Sequence, residues 1–208
     1  MTVVFDLDHT LLDAEKLKRA MAASLVSCGV SDVRFLETYE ASSRVSDLIC
    51  DYDPARHVAA LADGLTCDHQ EARRRIGAVV DRMSEFIMPG AVSVLQRLRA
   101  SKAALVLFTH GNVAWQKRKV ARSGLADRFD AMIFAPEEKT GYVEELRRLK
   151  PPLVVVNDHG GEIDGLRKEL PDARFIAVRG PKPPPGDPDV PVCGDLEEVY
   201  KKIMELVR

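Results

Sequence analysis

Apolar residues along this chain follow two rhythms. Short continuous runs occur at Thr2 to Phe5, Ala104 to Phe108, Ala131 to Phe134, Leu153 to Val156 and Phe175 to Val178. They are rich in β-branched and aromatic residues and do not alternate with polar ones, which predicts strands of a parallel sheet buried on both faces. Elsewhere the apolar residues fall at helical spacing. A helix is predicted over Val113 to Ser123, behind Asn112 as N-cap and ahead of Gly124. Others are predicted over Gly141 to Leu149, ending before Pro151-Pro152, and over Glu162 to Leu170, ending at Pro171. The last, Asp195 to Val207, places Leu196, Val199, Tyr200, Ile203 and Val207 on one stripe, with Asp195 and Glu198 spaced as a capping box. Strand and helix alternate from residue 89 onward, so the expected core is a doubly wound parallel α/β sheet.

Residues 14 to 88 contain no strong strand run. Leu17, Ala20, Met21, Leu25 and Cys28 keep helical spacing behind Asp13 as N-cap, and so do Ala72, Ile76, Val79, Val80, Met83 and Ile87 behind Asp68. Two further helices are expected in Asp32 to Cys50 and Pro54 to Ala62. The expected organisation is therefore a core domain of residues 1–13 and 89–208, with an all-α segment of residues 14–88 inserted after the first strand. Pro89-Gly90 marks the return to the sheet. The proline-rich stretch Gly180 to Pro191 is expected to be a stiff surface connection before the last strand and helix.

Composition narrows the function classes. The chain has 208 residues, 46% of them apolar, with 30 basic and 32 acidic side chains and a formal charge of -2. This balance gives no support for nucleic-acid binding through bulk charge. Arg73-Arg74-Arg75 is a triple basic run that lies in a helical pattern, as a solvated face. No stretch is long and apolar enough to span a membrane. The cysteines are Cys28, Cys50, Cys67 and Cys193; none forms a C-x-x-C pair or has zinc-ligand spacing. They are expected to be free thiols in a reducing compartment, and the protein to be cytoplasmic.

Candidate chemistry lies where apolar runs end. Val3-Val4-Phe5 leads into Asp6-Leu7-Asp8-His9-Thr10. Residues i and i+2 of an extended chain point to the same side, so Asp6 and Asp8 face one pocket. Two such carboxylates repel unless a cation lies between them or one holds a proton, an arrangement poor for stability and suited to chemistry. The plain alternative is a pair of solvated acids at a strand end. The second run ends in Thr109-His110-Gly111-Asn112, a hydroxyl and backbone amides ahead of a helix, which suits phosphate. Lys139 stands between the third run and a helix; Lys150 is a rival that follows its helix. The fourth run ends in Asn157-Asp158-His159-Gly160-Gly161-Glu162.

These four segments, in this order, resemble the four motifs of the haloacid dehalogenase (HAD) superfamily, beginning with its DxDx[TV] signature. Trp115 to Lys119, Ser123-Gly124-Leu125 and Phe129-Asp130 also resemble sequences downstream of its second motif. The resemblance covers about residues 1–13 and 89–208, and the inserted helices resemble a C1-type cap. It departs from the pattern at the fourth motif, where Asn157 replaces a glycine and Glu162 an aspartate. What it implies is a HAD-like, Rossmann-like core carrying a Mg²⁺-dependent phosphatase that acts on a small phosphate monoester. Asp6 would be the nucleophile that becomes an aspartyl-phosphate. Asp8 would protonate the leaving oxygen and then activate water. Thr109, His110, Gly111 and Lys139 would hold the phosphoryl group. The metal would lie on the Asp6 carboxylate, the Asp8 carbonyl and Asp158, with Glu162 acting through water or by holding a neighbour. Thr10 would orient the loop by hydrogen bonding.

An acid two residues after the nucleophile favours a phosphatase or phosphomutase over a dehalogenase, because a halide leaves unprotonated. The alternatives are a phosphomutase of the same superfamily or a catalytically silent HAD-fold binding protein. The implied partner is a small phosphorylated metabolite, with neither nucleic acid nor membrane involved, and the chain would be a monomer or homodimer. Arg19, Tyr39 and Arg44 are polar residues of the helical segment available to a substrate.

Overall fold

A computed structural model describes residues 1–43 and 51–206. Six strands form one parallel sheet: β1 (Thr2–Phe5), β2 (Ala104–His110), β3 (Ala131–Ala135), β4 (Leu153–Asn157), β5 (Arg174–Val178) and β6 (Val192–Cys193). Their order is β3-β2-β1-β4-β5-β6, so β1 lies between β2 and β4. Phe5 is level with Leu107 on one side and Val156 on the other. The chain therefore leaves β1 between the ends of the two strands that carry the second and fourth candidate motifs.

The apolar runs are continuous because each face of the sheet is covered. Val3, Phe5, Leu107 and Val156 point into one buried cluster, with Val94 and Leu98 of α5 (Ala91–Ala100), Val120 of α6 (Val113–Ser123) and Val199 and Ile203 of α9 (Leu196–Leu206). Val4, Val106, Phe108 and Val155 point into the other, with Leu146 of α7 (Val143–Arg147) and Ile163 and Leu166 of α8 (Gly160–Glu169). Strand-end side chains thus alternate between two dry layers, as the pleat requires.

Local signals explain most boundaries. Asn112 accepts a hydrogen bond from the Trp115 amide, and Gly124 ends α6 at φ 74°. Asp195 accepts from the Glu198 amide at 2.8 Å, but the Glu198 carboxylate reaches back to the Gly194 amide. The predicted Gly141–Leu149 helix is divided, with a 3-10 turn over Lys139–Tyr142 before the shorter α7. Val207, expected on the α9 stripe, lies outside the described residues.

Between β1 and α5 the described residues are helical: α1 (Ala14–Leu25), α2 (Asp32–Ser43), α3 (Pro54–Ala60) and α4 (His69–Val80), with 3-10 turns at Val26–Cys28 and Met83–Phe86. Arg44 and Cys50 fall outside the described residues. The two passages between sheet and helices run side by side. Leu12 bridges Ile87, Asp13 N donates to Phe86 O, and Met88 N donates to Leu11 O. The helical segment shares one hydrophobic cluster with the sheet face above, including Leu17, Met21, Phe35, Tyr52, Ile76 and Met83.

One cysteine expectation is overturned. Cys28 and Cys67 form a disulfide with Cα atoms 5.1 Å apart, while Cys193 is a buried free thiol. Sequence spacing could not reveal this pairing, because it depends on how α1 and α4 pack. The cysteines therefore give no argument for a reducing compartment. Among the described residues no helix is long and apolar enough to cross a membrane. The bridge closes a loop across a sequence separation of 39, so its loss frees that much chain in the unfolded state. Reduction is expected to lower stability by up to about 4 kcal/mol in urea unfolding, and a Cys28→Ser variant is expected to be indifferent to reductant.

Candidate active site

The carboxyl ends of β1, β2 and β4 open into a cavity of about 520 Å³. Asp6, Asp8, Thr109, His110, Asn157, Asp158 and Glu162 line its floor. Tyr39, Ser43 and Tyr52 of the helical segment and Trp115 of α6 line the opposite wall. This is where open parallel sheets bind ligands, because adjacent strand ends diverge there.

Asp6 follows β1 directly, its amide donating to Val156 O at 2.9 Å. After it the chain turns tightly: His9 N donates to Leu12 O, Leu11 N donates to Leu7 O, and His9 adopts φ 59°. Thr10 is fully buried in this turn, but its hydroxyl has no hydrogen-bond partner among the described residues, contrary to the expectation that it would orient the loop.

Lys139 reaches the cluster from the 3-10 turn after β3. The residue is 3% exposed, and its ammonium lies 2.5 Å from Asp6 Oδ1 and 2.7 Å from Glu162 Oε2. Glu162 is held in turn by Asn157 Nδ2 at 2.7 Å and faces His110 Nδ1 at 3.3 Å. The replacements in the fourth motif are thus coupled, because Asn157 donates to the carboxylate that anchors Lys139. Lys150 is exposed at the far end of β4, where its carbonyl accepts from the Thr2 hydroxyl at the start of β1.

Thr109 and His110 belong to β2 rather than to a loop beyond it. The His110 side chain is turned to Glu162, and its carbonyl accepts from Gln116. Gly111 is a correction as a phosphate donor. Its amide is engaged by Ala135 O at 2.9 Å, so at φ 107° it shapes the turn into α6.

Asp8 has partners that sequence reading missed. Lys119 Nζ lies 2.6 and 2.5 Å from its two carboxylate oxygens, and Gln116 Nε2 lies 3.0 Å from Oδ2. The available signal was helical spacing: positions 116 and 119 fall on one face of α6, three residues apart. The proline-rich stretch is also more than a surface connection. Pro181 and Lys182 line the cavity, and Gly160 N donates to Pro183 O. A Cβ on Gly180 would come within 2.8 Å of Asp158 Oδ2, so only glycine allows this close approach. Tyr39 lines the cavity, whereas Arg19 is exposed and takes no part.

Charge is unbalanced around Lys139. Burial pushes the Asp6 carboxyl above its usual range, outweighing the attraction of Lys139. Burial and the Asp6 carboxylate raise Asp158 to about 8. Burial also opposes ionisation of Glu162, but Lys139 and His110 overcome it and hold this group at about 2. Desolvation of the Lys139 ammonium is likewise outweighed by Asp6 and Glu162, so its pKa is raised. For Asp8, Lys119 and then Gln116 overcome burial and keep the carboxyl below its usual range.

Three carboxyl groups therefore share one ammonium, and two of them, Asp6 and Asp158, lack a full counter-charge. That donor set fits a hard divalent cation such as Mg²⁺, which takes one or two carboxylates and completes its shell with water and phosphate. Among the described residues no group of three or more His, Cys, Asp or Glu side chains is arranged to hold a metal by itself. Asp158 binds its proton more tightly folded than unfolded. Stability without metal is therefore present at low pH and lost as pH rises from the unfolded 3.8 through about 8. In chelator, the melting temperature is expected to fall across this window, to fall less in Asp158→Asn, and to recover at the alkaline end when Mg²⁺ is added.

Comparison with known proteins places the chain. The haloacid dehalogenase-like hydrolase family matches residues 1–168. No curated protein matches the chain. Among solved structures, a haloacid dehalogenase-like hydrolase from Burkholderia xenovorans LB400 is 20% identical with a TM-score of 0.69, covering 100% of this chain and 98% of that one. The HAD hydrolase YfnB from Bacillus subtilis, bound to magnesium, is 17% identical with a TM-score of 0.64, covering 97% of each chain. L-2-haloacid dehalogenase from Xanthobacter autotrophicus is 18% identical with a TM-score of 0.68, covering 98% of each. Similar folds also include proteins assigned by prediction as a phosphoglycolate phosphatase, from Haemophilus somnus, and as a β-phosphoglucomutase, from Thermotoga maritima. These likenesses establish the fold, and the family match establishes the class: the chain is an enzyme of the haloacid dehalogenase-like hydrolase family.

Proposed function

We propose that this hydrolase is a Mg²⁺-dependent phosphatase that cleaves a small phosphate monoester through an aspartyl-phosphate on Asp6. The observation that carries the reading is the 2.5 Å contact of Lys139 with Asp6, whose carboxylate lines a cavity together with Asp8 and Asp158. A buried carboxylate beside a buried ammonium is poised to attack a phosphoryl group whose oxygens that ammonium attracts.

In this reading the substrate phosphate lies over Asp6, between Thr109 and Lys139. An Asp6 carboxylate oxygen attacks phosphorus in line, and the bond from phosphorus to the leaving oxygen breaks. Asp8, ionised beside Lys119 before turnover, first takes a proton from solvent or from a monoanionic ester and then gives it to that oxygen. A water then loses a proton to Asp8 and attacks phosphorus, which breaks the acyl-phosphate bond and restores the Asp6 carboxylate. Lys139 stays charged throughout because Glu162 holds it in place. Asp6, the Asp8 carbonyl and Asp158 would hold Mg²⁺, which when bound neutralises charge on the phosphoryl oxygens.

Positioning and charge neutralisation are the main needs of phosphoryl transfer. The acid at Asp8 favours an oxygen leaving group over a halide. The helical segment acts as a cap over the cavity, and its Tyr39, Ser43 and Tyr52 face the part of the substrate that departs. The substrate is a small phosphorylated metabolite, with neither nucleic acid nor membrane as partner.

The test is phosphate release from p-nitrophenyl phosphate and a panel of phosphorylated metabolites. Asp6→Asn and chelation are each expected to reduce release to background. Lys139→Met is expected to cost at least about 100-fold in kcat/KM. Absence of release from the whole panel would overturn the phosphatase reading. Transfer back to a phosphorylated acceptor, without release, would favour a phosphomutase.

A further inference from the structure

The catalytic reading leaves unexplained why the carboxylate at Asp8 is gripped by two side chains of α6. Lys119 is 3% exposed and Gln116 5% exposed, more than 100 residues away in sequence. Lys119 spans both carboxylate oxygens. Gln116 Nε2 divides its hydrogens between Asp8 Oδ2 and the His110 carbonyl at the end of β2. Its amide oxygen is buried without a partner, so the two donated bonds alone set its orientation. A buried ion pair adds little net stability over an apolar pair of similar volume. The geometry is better suited to holding one group in one direction.

The direction is toward the part of the cavity where the substrate departs. Asp6 and Asp158 line the floor after β1 and β4, and Lys139, after β3, contacts Asp6. Asp8 lines the same floor, but its carboxylate is held from α6, whose Trp115 packs on Tyr52 of the helical segment with ring centroids 4.8 Å apart. The same helix is tied to α4 by Arg118, which donates to Gly77 O at 3.3 Å, and by Arg122, 3.2 Å from Asp81. One rigid element thus carries both the leaving-group wall and the donors that fix Asp8.

We propose that Lys119 and Gln116 are positioning residues that aim the Asp8 carboxylate at the leaving-group oxygen. The inference rests on the phosphatase reading. It predicts that their contribution grows with the need of the leaving group for a proton. A free Asp8 side chain would rotate between the floor and the wall, and a mispointed acid or base loses most of its effect.

The experiment uses the full chain with Mg²⁺ and compares p-nitrophenyl phosphate, phenyl phosphate and glycerol phosphate. For Lys119→Met, kcat is expected to fall roughly 100-fold or more on glycerol phosphate and under about tenfold on p-nitrophenyl phosphate. KM is expected to stay within about threefold. Asp8→Asn is expected to show the same graded loss, and the double variant to be no worse than Asp8→Asn alone. Lys119→Arg is expected to restore part of the loss. Equal losses on all three esters, or additive losses in the double variant, would overturn the positioning role while leaving the phosphatase reading intact. If Lys119→Met does not fold, as judged by circular dichroism, Gln116→Leu carries the same comparison and must show the same grading, or the proposal fails. Wild-type inactivity on every ester would overturn both.

Discussion

The buried ammonium of Lys139 is the constraint around which the site is organised. It approaches two carboxylates contributed by β1 and α8 from an element that follows β3, so three separate parts of the sheet must be in register for it to be neutralised. Leaving it unpaired would cost several kcal/mol. The fold meets that need with an arrangement that leaves acid in excess: Asp6 and Glu162 take the ammonium, and Asp158, whose carboxyl burial raises to about 8, has no ammonium of its own.

Two helices translate this floor into a chamber. On one side α8 delivers Glu162 and is capped over its first turn by the proline strap, whose glycine at 180 lets the backbone touch Asp158. On the other, α6 joins the sheet to the inserted helices through Trp115 and the arginines at 118 and 122. The inserted helices share a continuous apolar layer with one face of the sheet, and the chain passes between the two along the paired stretches at residues 11–13 and 86–88.

Much of this was legible because it follows from short-range rules. The apolar runs named every strand of four or more residues, since burial on both faces leaves no alternation to confuse the reading. Asn112, Asp13 and Asp68 marked helix starts because their side chains cap amides three residues on. Strand-end carboxylates pointed to the cavity because parallel sheets bind ligands at that edge. What was not legible depends on tertiary packing. Spacing from Gln116 is the only local mark that sets Lys119 apart from Lys117 and Arg118, and it takes the rotation of α6 against the sheet to put it on Asp8. The Cys28–Cys67 bridge is likewise invisible until α1 and α4 are placed. Proline content suggested stiffness after β5 but not that the stiff piece turns back over α8. Lys139 was found by its order among the motifs, although its helical turn and near-complete burial contradict the usual fate of a lysine in such a loop.

The covalent bridge has a consequence of its own. The chain between Cys28 and Cys67 leaves and returns at points 5.1 Å apart, and within this excursion lie Tyr39, Ser43 and Tyr52, three of the side chains that line the upper wall of the chamber. A detour with adjoining ends is a modular cassette: its length and lining can be exchanged while the helices on either side keep their places.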